Sequence, residues 1–174
     1  MAPLLPHDNK SMGDFFKKSH PKAKKLLVDK FFWTDEYSPV AGSDTASDAV
    51  DDFWEWLDIT KSPNVSAYIN ETLEEWVVDI DRMRAAQGSD PDKCTGEFSS
   101  DANMYDEFVV AIAYGQFMKL GFVDAKVRAL ALTAITRQLN PKVIEYRHSD
   151  PAEATTYLTK IKDALLLMDV HGSF

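Results

Sequence analysis

Two carboxylate pairs at helical spacing, Asp52-Phe-Trp-Glu55 and Glu71-Thr-Leu-Glu74, are the residues whose type and position best suit chemistry in this chain. Carboxylates three apart on a helix share one face, and two such pairs brought together can hold Mg2+ with the phosphates of a nucleotide. A second fragment, Glu145-Tyr-Arg-His148, sets a carboxylate and an imidazole at the same spacing, the unit that di-iron carboxylate bundles use in duplicate. It occurs once here and stands just before Asp150-Pro151, so these side chains are expected in solvent rather than around a metal. None of the histidines, His7, His20, His148 and His171, stands beside a serine or cysteine nucleophile motif. Glycine-rich phosphate loops, paired-cysteine zinc spacings and aspartate-rich calcium loops do not occur either. The expectation is no catalytic residue, no metal ligand and no cofactor.

The carboxylate pairs on consecutive helices resemble those of the all-α nucleotide pyrophosphohydrolases, in which a Glu-x-x-Glu pair is followed by a Glu-x-x-Asp pair. The nearest later match here, Glu97-Phe-Ser-Ser-Asp101, is one residue longer and stands in a loop-like stretch, which removes the second ligand pair. The resemblance implies a Mg2+-dependent phosphohydrolase working through Asp52, Glu55, Glu71 and Glu74, and this stands as the alternative reading of function.

Those pairs belong to a wider concentration of charge. Between Asp35 and Asp81 thirteen carboxylates face a single base, Lys61, a local charge of −12 in a chain whose total is −9. Residues 1–33 carry +4 and residues 82–174 carry −1. Like charges crowded together destabilise a compact state, whereas a concentrated negative field attracts and orients basic partners. One resolution of the imbalance is internal: the lysine-rich first helix lies against the acidic middle and neutralises part of it. The lysines 17, 18, 22, 24, 25 and 30, interleaved with phenylalanines, also raise contact with anionic lipid or nucleic acid. The pI near 4.8 and the lack of arginine there argue against both.

Apolar residues recur three and four apart almost throughout, which predicts an all-α protein, an irregular bundle of six or seven helices in a single domain. Residues 1–18 read as an irregular N-terminal segment and 19–174 as the helical domain. A first helix is expected from about Ser19 to Trp33, burying Leu26, Leu27, Val28 and Phe31, and a second from Asp44 or Ser47 to Ile59. In the second, Ala46, Ala49, Val50, Phe53, Trp54, Trp56 and Leu57 form one arc, with Asp48, Asp51, Asp52, Glu55 and Asp58 opposite. The third, capped by Ser62 before Pro63, runs to Gly88 through Leu73, Ile80 and Met83, with Glu71, Glu75 and Asp79 in a row outside and Val78 among them. Later helices follow from Ser100 to Gly121, from Val123 to Leu139, from Asn140-Pro141 to Tyr146, and from Asp150-Pro151 towards Gly172.

At 174 residues the chain buries a core without needing disulfides, and its lone Cys94, in a loop-like stretch, fits a reducing compartment. With no signal-peptide pattern and no membrane-length apolar run, the expectation is a cytoplasmic protein that contacts neither membrane nor nucleic acid directly. Function then falls to binding: a non-enzymatic inhibitor or immunity-type protein capping the basic active-site cleft of a protein partner such as a nuclease toxin. Asp48, Asp51, Asp52, Glu55, Asp58, Glu71, Glu75 and Asp79 supply the charge, and Trp56 and Val78 the desolvated anchors.

Overall fold

The central element is a 22-residue helix whose residues from Phe108 to Met118 are buried on every side. A helix apolar all round belongs in the middle of a bundle, since any solvent-facing side would leave it half exposed. A computed structural model of the chain, described over residues 15–76, 91–97 and 99–172, shows an all-α single domain built around it. In order, the described helices are α1 (Pro21–Leu26), α2 (Phe31–Thr34), α3 (Asp44–Ile59), α4 (Val65–Trp76), α5 (Pro91–Cys94) and the central α6 (Ser99–Leu120). After β1 (Val123–Asp124) come α7 (Ala125–Gln138), α8 (Pro141–Arg147), α9 (Pro151–Leu167) and β2 (Val170–His171). No described helix is long and apolar enough to cross a membrane.

Helices α3 and α7 flank α6. Helix α3 lies close against α6 at Gly115: a Cβ there would stand 3.4 Å from the Phe53 ring, an ordinary contact, and the Trp54 indole N–H donates to the Gly115 carbonyl at 3.0 Å. On another side Tyr114, fully buried, donates its hydroxyl to the Ile161 carbonyl of α9 at 2.6 Å. Gly121, at φ +77°, ends α6 in the left-handed conformation that glycine adopts without strain. The His20 amide, donating to the Met118 carbonyl at 2.7 Å, ties the start of α1 to that same end.

Several boundaries differ from expectation, each for a local reason. The helix expected over 19–33 is two, α1 and α2. Between them the Asp29 carboxylate takes the Phe31 amide and the Trp33 indole takes the Leu27 carbonyl, so side chains satisfy groups that a continuous helix would pair. Val28 falls in this break and is 79% exposed rather than buried. Helix α3 is capped by Ser43, whose Oγ accepts the Ala46 amide at 3.1 Å, rather than by Asp44 or Ser47. Helix α4 starts after Asn64, whose Oδ1 accepts the Ala67 amide, so the cap follows Pro63 instead of preceding it. Its expected extension through Ile80 and Met83 lies outside the described residues.

Val123 and Asp124 do not open α7 but pair in parallel with Val170 and His171, a two-residue ladder too short to show as alternation in the sequence. Cys94 ends a short helix and is buried with Ala102 and Val143, rather than standing in a loop.

Candidate functional site

The acidic residues of α3 fall on its outer side as the periodicity requires: Asp48, Asp51, Asp52, Glu55 and Asp58 are all exposed. On α4, Glu71, Glu74 and Glu75 are exposed as well. Asp58 pairs with Lys119 at 2.7 Å, and that ammonium also sits over the Trp54 ring at 4.5 Å. Among the described residues the other seven of these carboxylates form no ion pair and accept no hydrogen bond. Their mutual repulsion is visible at Asp51: partial burial, then the charges of Asp48, Asp52 and Glu55, push its carboxyl above the ordinary range. The two rows meet electrostatically at Tyr68. Burial raises that phenol, against a hydrogen bond with Thr72, and Asp52 on α3 and Glu75 on α4 both add to the rise.

Trp56 is half-buried, tilted against Tyr68 at 4.6 Å and stacked with Phe53 at 5.9 Å, so it is not a free ring. Val78 and Asp79, the remaining residues expected at a partner surface, lie outside the described residues. The lysines of the N-terminal segment do not neutralise this face. Lys22 pairs with Asp169 at 2.6 Å and Asp29 with Lys160, and no described lysine from 17 to 30 pairs with a carboxylate of α3 or α4. Among the described residues no three His, Cys, Asp or Glu side chains gather into a group that could hold a metal ion.

A second constellation lies on the opposite flank of α6 and was not legible beforehand. Asp106, in the first half of α6, is 2% exposed and is held by Arg137 of α7, whose Nε donates to both carboxylate oxygens at 3.2 Å and whose Nη2 donates to Oδ1 at 2.7 Å. The Gln138 amide nitrogen donates to the same carboxylate, and its carbonyl oxygen accepts from Arg147 Nη1 at 3.1 Å. Burial pushes the Asp106 carboxyl up, against the opposing pull of Arg137 and Gln138, while hydrogen bonding to Asp106 holds Arg137 above its ordinary value in spite of its own burial.

This chain of contacts ends at a pocket of about 160 Å³ between the segment before α3, the first half of α6 and the middle of α9. Arg147 lines it, half-buried, with burial lowering its guanidinium below the ordinary value. Glu107 lines it too, accepting the Ser43 hydroxyl at 3.0 Å on one oxygen and the Asn103 amide at 3.1 Å on the other. The Tyr37 and Tyr157 rings stack at 4.3 Å, nearly parallel, and the Tyr157 hydroxyl stands 3.3 Å from His148 Nδ1. Burial first, then Tyr37, pushes that hydroxyl up to about 12, so it stays protonated.

The Glu145-x-x-His148 fragment therefore divides. Helix α8 ends at Arg147, His148 turns towards Tyr157, and Glu145 stays in solvent, so Arg147 and His148 are its members at the pocket. Nothing in the sequence singled out Asp106, which stands beside Glu107 just before the apolar run from Phe108 to Met118, and only its burial in the fold demands a cation.

The fold thus defines an all-α bundle with an acidic two-helix face and a small polar pocket. Compared with protein-family models, curated proteins and solved structures, the chain finds no match.

Proposed function

We propose that the protein acts by binding, as an acidic module that docks through α3 and α4 on a basic protein surface, in the manner of an inhibitor or immunity protein that covers the active-site cleft of a nucleic-acid-directed enzyme or toxin. One observation carries this reading: Asp48, Asp51, Asp52, Glu55, Glu71, Glu74 and Glu75 are exposed on two consecutive helices and pair with no cation among the described residues. The repulsion among them lowers stability, and a complementary basic surface would turn the same charges into faster association and a preferred docking orientation. The half-buried Trp56, packed against Tyr68, supports the reading as a rigid aromatic anchor.

The test compares wild type with the triple variant Asp51→Lys, Glu55→Lys, Glu75→Lys, both immobilised and exposed to extract of the native source at low and high salt. The expected result is a basic protein held by wild type at low salt, released at high salt, not held by the variant, and inhibited by the wild-type protein when purified. Retention by a variant of unchanged helicity, or no salt-sensitive basic partner on wild type, removes the proposal.

A further inference from the structure

The pocket beside α6 carries two opposite charges that do not meet. Among the described residues Arg147 makes one hydrogen bond, to Gln138, so the rest of its guanidinium fork has no protein acceptor. Glu107 makes no ion pair, although its charge acts on Arg147. Each of its oxygens accepts one neutral donor and retains lone-pair capacity, and the Oδ1 of Asn103 accepts from no described donor. A half-buried guanidinium with free N–H groups presents the geometry that a planar carboxylate satisfies with two parallel hydrogen bonds. Facing it, Glu107 with the Asn103 carbonyl is a receptor for an ammonium group.

We infer that this pocket binds a free amino acid, its carboxylate on Arg147 and its ammonium on Glu107 and Asn103. Size supports the class. A volume of about 160 Å³ is close to the roughly 150 Å³ cavity that accepts benzene, which suits a ligand of amino-acid size. Charge supports it as well: with Asp106 paired to Arg137, Glu36 and Glu107 line the pocket against Arg147 alone, a net negative wall unfavourable for a phosphate dianion. The stacked Tyr37 and Tyr157 rings with Leu158 and Val110 give the side chain an apolar surface. The site is separate from the acidic face and does not depend on the docking proposal.

The experiment titrates the full chain by calorimetry with each of the twenty amino acids singly, and with acetate, ethylamine and inorganic phosphate. At least one amino acid binds, and its N-acetyl and amide derivatives, each lacking one charge, bind at least about tenfold more weakly to the same wild-type protein. Arg147→Met weakens the amino acid by a similar factor, while Glu107→Gln weakens the amino acid but not acetate. Binding of phosphate in preference to every amino acid, equal binding of the capped derivatives, or no binding at all overturns the assignment. Because the capped derivatives are measured on the unaltered protein, a variant that fails to fold does not protect the inference.

Discussion

Replacing Arg137 with methionine isolates the buried ion pair on which the interior of this bundle depends. The Arg137 and Asp106 side chains are 3% and 2% exposed, and among the described residues the carboxylate takes its hydrogen bonds from Arg137 and Gln138. Methionine keeps the length and apolar stem of arginine but leaves Asp106 with one neutral donor and no countercharge. Removing one member of a buried pair lowers stability by about 3–5 kcal/mol, because the remaining charge stays desolvated. For a chain of this length each kcal/mol shifts Tm by about 2–4 °C, so the variant melts roughly 6–20 °C lower. The assay is thermal and urea unfolding followed by circular dichroism at neutral pH, repeated on Asp106→Leu and on the double variant. Since both charges vanish together in the double variant, its loss falls short of the sum of the single losses by about 0.5–3 kcal/mol.

The pH dependence has a definite sign. Burial already holds the folded-state pKa of Asp106 above 3.8, and loss of Arg137 raises it further. The folded variant therefore binds a proton that the unfolded chain does not, and its deficit is greatest at neutral pH and shrinks as pH falls through the raised pKa towards 3.8. A Tm within experimental error of wild type, strict additivity in the cycle, or a deficit that grows on acidification would refute the reasoning.

Asp51→Lys turns the repulsions with Asp48 and Glu55 into attractions and raises stability by about 1–2 kcal/mol at low ionic strength, a gain that salt diminishes in an unfolding titration. Burial, then Arg147, holds His148 below 6.5; the unfolded chain thus gains its proton first as pH falls below 6.5, and stability declines there. An NMR midpoint for His148 below 6.5, and loss of this part of the stability slope in His148→Gln, are the expected measurements. Gly121→Ala places a Cβ against the His20 ring at φ +77°, whereas Gly172→Ala, at φ +86°, meets nothing within 4 Å. Both lose about 1–3 kcal/mol to backbone strain, and chemical denaturation shows a larger loss at Gly121, the difference measuring the collision with His20.

The sequence by itself determined the helical class, the long central helix, and which residues of α3 face water, because those follow from apolar spacing and from proline and glycine at helix ends. It also determined the acidic face, whose carboxylates stand on the predicted side of α3 and on the solvent side of α4. Periodicity did not reach the break between α1 and α2, where side chains of Asp29 and Trp33 compete for backbone groups, nor the Ser43 and Asn64 caps, which neighbouring serines and aspartates imitate. The polar pocket was decided by tertiary structure alone. Glu107, Gln138, Arg147 and Tyr157 stand on four different helices, and no spacing along the chain encodes a distance that exists only once those helices have closed around α6.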